Sequence, residues 1–269
     1  VNKKKLALAL VVGICLLHSI PFFILFNMSF KSPHDTSSKW ATPLYLYLGN
    51  FMNAWQNAHL NQALINSLII TVSAVTLVVI IGALAAYPLA RFPTRWNRVV
   101  YMLCISCLIV PALAVLVSLY SLVVNLNGID TYWAIVLIQV SFALPLTIFL
   151  YTGFLRTIPR ELDEAAQIDG CNRFTLFLRI LLPLLRPVTA TVIILVGIAI
   201  WNDYQFSVFF RQDPSVQTVP VALSSFFSQY QNDIDWVAAG CLISILPATL
   251  IYLFLQRSFV KGLTEGAAK

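Results

Sequence analysis

Six long stretches of the chain, about residues 6–28, 63–90, 99–124, 132–155, 188–210 and 236–255, are almost continuously hydrophobic, and polar intervals separate them. Each has about the 20 residues an α-helix needs to cross roughly 30 Å of hydrocarbon. A helix that is apolar on every side is solvated by lipid or by other helices. The pattern predicts an all-α polytopic membrane protein with six transmembrane helices. No polar interval is long enough for a separate soluble domain, so residues 1–269 are expected to form one transmembrane domain. The first stretch follows Lys3, Lys4 and Lys5 and is broken only by His18, Ser19 and Pro21. It is longer than the apolar core of a signal peptide and lacks a small-x-small cleavage site, so it is expected to remain as a helix in the membrane.

The intervals differ in character. Residues 30–62 are polar and aromatic, with Trp40, Tyr45, Tyr47 and Trp55, which suits an external loop with a short interfacial helix near 50–58. Residues 125–130 form a tight reversal, and 211–235 is a loop with Pro214, Pro220 and a short helix over 222–230. The interval 156–187 is different, because it predicts a helix-turn-helix. Thr157 is placed to cap a helix with Pro159 in its first turn, and Glu161, Asp163 and Glu164 lie near the positive end of the helix dipole. Gly170 supplies a permissive backbone for the stop, and Asn172 caps a second helix with Phe174, Phe177, Ile180 and Leu181 on one side. The small Ala165 and Ala166 make the first helix slim enough to enter another protein's groove, with Arg160 and Glu164 available to fix its angle.

Composition agrees with a bilayer: 59% of residues are hydrophobic and 10% charged, against roughly 25% charged in soluble domains. The net charge of +6 is explained by where the basic residues fall, not by a nucleic-acid partner. With both termini cytoplasmic, fourteen of the seventeen lysines and arginines lie on the cytoplasmic side and only Lys31, Lys39 and Arg211 lie outside, as the positive-inside rule requires. The interval 156–187 then faces the cytoplasm. The five cysteines form no disulfide framework; Cys104 and Cys107 make a CxxC inside an apolar stretch with no histidine or second pair near it, so they are expected as buried small residues without a metal or redox role.

There is no GxxxxGK[ST] loop to cradle nucleotide phosphates, so the chain is not expected to hydrolyse ATP, and energy for any work must come from a partner. His18, His34 and His59 are scattered and form no HExxH or nucleophile pair, which leaves no hydrolase pattern. Asp203 is the one acid plainly within an apolar stretch, and such a carboxylate faces a protein interior or a water cavity. With Trp201, Asn202, Tyr204 and Gln205 it forms a polar and aromatic cluster suited to sugar hydroxyls and ring faces; the other reading is a structural cluster that bonds neighbouring helices or anchors the chain at the interface. Gln139, Ser141 and Tyr120 are weaker candidates for a solute pathway, and Pro111, Pro145 and Pro247 are expected as kinks.

Glu164, Ala165 and Ala166, then Gly170, Ile180, Leu182 and Pro183, match the EAA motif at every fixed position. The chain resembles permease subunits of binding-protein-dependent ABC importers. Asn66-Ser67, Ala143-Leu144-Pro145-Leu146, Ile168-Asp169-Gly170, Trp201-Asn202-Asp203, Thr218-Val219-Pro220 and the ending Lys261 to Ala267 extend the likeness to carbohydrate-uptake permeases of the maltose type, specifically the smaller six-helix partner. The resemblance implies an ABC importer type I permease fold in the cell membrane of a prokaryote. It makes the helix before Gly170 a coupling helix seated in a cleft of an ATPase subunit, with Glu164, Ala165, Ala166, Asp169 and Gly170 as its coupling residues. It also implies a second permease, two ATPase subunits that carry ATP and magnesium, and an extracytoplasmic sugar-binding protein that meets the 211–235 loop; this chain itself needs no cofactor. Closure of the ATPase pair would draw the coupling helices together and turn the cavity outward, and hydrolysis would reset it inward. Cys171 stands where a small alanine is usual and Glu265 where a small residue is usual. A permease for a polyol or glycerol phosphate is the nearest alternative, although an anionic solute predicts basic residues in the spans and none is evident. An ion-coupled secondary transporter would need inverted repeats and several intramembrane charges.

Overall fold

The computed structural model describes residues 3–229 and 233–267, with side chains as far as Gln256. Every regular element in them is helical. In chain order, α1 is Lys3–Phe30, α2 Gly49–Asn57, α3 Leu60–Arg91, α4 Arg95–Ser106, α5 Leu116–Asn125 and α6 Tyr132–Leu155. The loop that follows holds α7 (Glu161–Ile168), α8 (Arg173–Leu176) and α9 (Leu182–Leu184). Beyond it come α10 (Arg186–Trp201), α11 (Ser207–Phe210), α12 (Val219–Gln229) and α13 (Ile234–Ala267).

Among the described residues, Lys3–Phe30, Leu60–Arg91, Tyr132–Leu155 and Ile234–Gln256 are long and apolar enough to cross a bilayer as single rods. Two bent pairs, Arg95–Ile109 with Ala112–Asn125 at 94° and Arg173–Leu184 with Arg186–Trp201 at 70°, raise the number to six if each pair is one crossing. The first bend differs from the continuous helix expected over 99–124. Its cause is local: the Pro111 ring excludes the helical conformation at Val110, and both residues are extended, with ψ of 120° and 127°. The stretch expected over 188–210 also divides, since α10 stops at Trp201 and α11 begins at Ser207. At the other end of the chain, α13 continues as helix well past the expected boundary at 255.

The chain forms two compact units. One contains residues 1–64 and 218–247. Its small core is Ala54, Ala58, Leu60, Phe226 and Ala239, with Phe226 stacked on Trp236 at 6.4 Å. Gly240 lies close against it, since a Cβ there would come 2.9 Å from the end of the Leu223 side chain. The short helix expected near 50–58 is α2, and the one expected over 222–230 is α12; Tyr230 lies outside the described residues. Most of α1 is exposed, with Leu8, Leu16 and Leu17 each above 60%. Lys31 is buried, and its ammonium donates to Ser37 Oγ at 2.8 Å and Ser38 O at 2.5 Å.

The other unit contains residues 65–217 and 248–269. Its core is built along three helices: Ile70, Ala74, Val78, Ala83, Ala86 and Ala90 on α3, Ile135 to Leu155 on α6, and Val188, Val192, Val196 and Ile200 on α10. The α10 residues recur every four positions, which puts them on one face. The small residues on α3 allow close approach to α6, and a Cβ at Gly82 would run into Thr147. Tyr151 donates to Thr189 at 2.9 Å and joins α6 to α10 inside the core.

Candidate coupling site

The interval between α6 and α10 is built mostly by local chemistry. Thr157 does not cap α7 as its position suggests: its hydroxyl donates to Phe154 O at 2.8 Å and closes the end of α6. Arg160 stands at the N-cap of α7 with no side-chain cap. Glu161, Asp163 and Glu164 do occupy the first turn of α7. At the far end, Gly170 N–H donates to Gln167 O at 3.1 Å and Cys171 N–H to Ala166 O at 2.9 Å, the pair of bonds of a Schellman stop. Gly170 has φ +81°, a left-handed conformation that costs any other residue a steric penalty. Asn172 then caps α8, its Oδ1 accepting from Thr175 N–H at 2.8 Å.

Beyond α8 the expected single face for Phe174, Phe177, Ile180 and Leu181 does not form. Phe174 is 67% exposed. Residues 177–181 wind as a π-turn, which advances the register, so that the buried set becomes Leu176, Phe177, Leu181 and Leu185. Phe177 packs on Tyr87 of α3 at 5.2 Å, and the Arg173 guanidinium lies 4.8 Å from the Phe92 ring.

The decisive contact joins elements far apart in sequence. Arg91, the last residue of α3, is ion-paired with Asp163, its Nε 2.8 Å from Oδ2; its Nη2 donates to Asp163 Oδ1 at 3.2 Å and its Nη1 to Ile158 O at 3.0 Å. Both side chains are nearly removed from solvent. A planar guanidinium held at a carboxylate and a carbonyl together fixes orientation as well as distance. It holds α7 by the face that carries Asp163 and Ala166, and leaves Glu161, Glu164, Ala165 and Ile168 turned outward and exposed. Of the two alanines in the motif, then, Ala166 packs inward and Ala165 lies open. Arg91 counts in the sequence only as one more basic residue at the end of an apolar stretch, and no local pattern marks Asp163 as its partner.

Asn202, Asp203, Tyr204 and Gln205 stay together in the short link between α10 and α11. Asn202 donates to Ile198 O at 2.9 Å. The Asp203 carboxylate accepts from Phe206 N–H at 3.2 Å, Ser207 N–H at 2.9 Å and Ser207 Oγ at 2.8 Å, so it caps α11. Tyr204 is 46% exposed and Gln205 partly so. Gln139 is buried on α6 with its Nε2 unpartnered, and Phe142, one turn along, packs on Phe206 at 4.8 Å. A cleft of about 150 Å³ beside the end of α10 is lined mainly by apolar groups, including Val75, Gly197 and Trp201.

Arg211, one of the three basic residues that the charge pattern places outside, is fully buried. Its Nε donates to Val216 O and its Nη1 to Asp130 O, both at 2.7 Å, and its guanidinium lies 4.5 Å from the Tyr132 ring. Burial holds its pKa below the usual value for arginine. Asn66 completes the clasp, donating to Ser215 O and Gln217 O and accepting from the Tyr132 hydroxyl at 2.5 Å. Cys104 and Cys107 are not the buried pair expected, because Cys104 is half-buried and Cys107 exposed.

Residues 78–265 match the model of the family described as binding-protein-dependent transport system inner membrane component. The chain belongs to this family. This permease is 46% identical over 253 residues to the melibiose/raffinose/stachyose import permease protein of Bacillus subtilis strain 168, covering 94% of the present chain and 92% of that relative. It is 34% identical over 268 residues to a probable starch degradation products transport system permease protein of Thermoanaerobacterium thermosulfurigenes, covering 99% and 97%. A chain of a bacterial ABC transporter involved in the import of the acidic polysaccharide alginate superposes with TM-score 0.82 at 20% identity, over 96% of this permease and 97% of that chain. The fold is therefore that of an ABC importer permease, and the chain is a multi-pass membrane protein.

Proposed function

We propose that this permease is one of two membrane subunits of an importer that admits a sugar or oligosaccharide, driven by ATP hydrolysed in a pair of partner subunits. The coupling loop carries this conclusion. α7 is clamped on its inner face by Arg91 and stopped at Gly170, and it offers a bare outer face with Glu161, Glu164, Ala165 and Ile168, as a helix seated in a partner's cleft requires. When the ATPase pair closes, the displaced α7 pulls on α3 through the Arg91 ion pair and on α10 through the buried Leu181 and Leu185, so the loop and the spans move as one body. Nucleotide and magnesium belong to the partner, because this chain has no phosphate-cradling loop.

The distribution of basic residues supports placing α7, with both termini, on the cytoplasmic side. On the opposite side the clasp at Arg211 and Asn66 gives residues 211–217 a fixed form, suited to receive an extracytoplasmic sugar-binding protein. The near relative in Bacillus subtilis supports an oligosaccharide of the melibiose, raffinose and stachyose kind as the solute. Proteoliposomes containing this permease, the second permease, the ATPase and the binding protein are expected to accumulate labelled raffinose when ATP is supplied on the α7 side. Solute movement by this chain without the ATPase would refute the assignment.

A further inference from the structure

A cavity of about 440 Å³ opens between the end of α3, the first turns of α4 and the end of α6. Its polar wall consists of Arg98, Arg156 and Arg160 with Thr94, Asn97 and Tyr101, and no acidic residue lines it. Among the described residues none of these three arginines has a carboxylate within ion-pair distance, for Asp163 is held by Arg91. The neutral polar groups are already engaged: Thr94 Oγ1 accepts from Asn97 N–H at 3.1 Å, and Asn97 Nδ2 donates to Pro88 O and Phe92 O at 3.1 and 2.8 Å. Arg156 lies 4.8 Å from the Tyr101 ring, which orients its guanidinium. What remains available is a concentration of cationic donors in a concave site, and its ligand is an anion.

The surroundings say what carries that anion. Trp96, in the first turn of α4, is 79% exposed, and Val99, Val100, Met102 and Leu103 follow it as exposed apolar residues along the helix. A tryptophan and arginines at the head of an exposed apolar strip mark the headgroup level of a bilayer, and basic pockets between membrane helices at that level take anionic headgroups. We propose that the cavity holds the phosphate headgroup of an anionic phospholipid from the arginine-rich leaflet, with its acyl chains laid along α4. A free phosphate would use the same arginines but would leave the apolar strip without a purpose. Leu89 and Ala90 in the cavity wall directly precede Arg91, and Arg160 directly precedes α7. The lipid therefore braces the joint that the coupling loop turns on.

The proposal takes its leaflet from the function argued above, but its test reads bound lipid, so either can fail without the other. The assembled complex is reconstituted in phosphatidylcholine nanodiscs carrying a minor fraction of phosphatidylglycerol, and lipid retained on the released complex is measured by native mass spectrometry. Arg98→Gln, Arg156→Gln and Arg160→Gln together are expected to reduce retained phosphatidylglycerol about tenfold or more, with all subunits still assembled. Lys3→Gln, Lys4→Gln and Lys5→Gln, which remove the same charge elsewhere, are expected to leave it unchanged. An equal loss in both triple variants would show diffuse charge attraction and overturn the proposal. So would unchanged lipid with loss of the ATPase from the arginine variant, which would make the cavity a protein contact. Displacement of the lipid by inorganic phosphate at millimolar concentration would make it a site for a free anion instead.

Discussion

Gly170 ends α7 in a left-handed backbone conformation. Its φ of +81° excludes most side chains, yet a Cβ built there meets nothing within 4 Å, so the constraint is in the backbone and not in packing. Gly170→Ala therefore costs only about 1–2 kcal/mol of local strain, and uptake should be reduced but measurable. Gly170→Pro cannot adopt that φ and removes the N–H that bonds Gln167 O; the variant should reach the membrane and transport nothing. Uptake assays on membranes with equal amounts of each variant check both outcomes. The Arg91 and Asp163 pair makes a different demand. Removing one partner of a buried pair leaves an uncompensated charge and costs about 3–5 kcal/mol, whereas two apolar replacements need not be destabilising. Arg91→Met should lower the melting temperature of the purified complex and uncouple ATP hydrolysis from uptake. Adding Asp163→Leu should recover the melting temperature without recovering tight coupling, because packing replaces the charge pair but not its directional grip. A double variant no more stable than Arg91→Met would argue against a paired role.

At the scale of elements, what was legible in the sequence was what is decided within one helical turn. The Schellman stop at Gly170 and the Asn172 cap each depend on residues no more than five positions apart, and both form as expected. Thr157 misled because its hydroxyl has two local uses, accepting from an N–H in the first turn of the next helix or donating to a carbonyl one turn back in the preceding one, and it donates to Phe154 O. Hydropathy alone could not separate Pro111, where the rod breaks at 94°, from Pro88 and Pro145, which remain inside helices. It also gave no sign that Arg91 and Asp163 meet, since nothing local links residues 72 positions apart. Asp203 stands out in the sequence as an acid in an apolar stretch, and both its oxygens are taken by backbone N–H groups. Oδ1 accepts from Phe206 N–H and Oδ2 from Ser207 N–H, and an asparagine side chain keeps only one of these two acceptors. Asp203→Asn should then keep uptake and lose less stability than Asp203→Ala, which should cost about 1 kcal/mol, if capping is its whole task. Loss of sugar uptake in Asp203→Asn with unchanged melting would instead make the carboxylate part of the solute pathway.

The direction of the whole molecule in the membrane follows its charge. The basic residues fall overwhelmingly in the intervals that a cytoplasmic α7 places inside, and retention of such segments during insertion sets orientation. Of the three exceptions, Lys31 and Arg211 are buried in cages of carbonyl and hydroxyl oxygens, so Lys39 is the one of them left exposed. The surface that would meet a sugar-binding protein thus carries little positive charge of its own, and the clasped 211–217 loop, not a basic patch, must provide its recognition. The same orientation puts the arginine-lined cavity and the outward face of α7 in one aqueous compartment with the ATPase. In a version lacking the native cysteines, Thr36→Cys and Gln167→Cys put single thiols at two exposed positions that the charge argument assigns to opposite faces of the membrane. A membrane-impermeant maleimide added to intact cells should label the thiol at position 36 and spare the one at 167 until the membrane is opened. Labelling at 167 in intact cells would put α7 on the wrong side of the bilayer for any ATPase, and no rearrangement of the loop would rescue coupling from there.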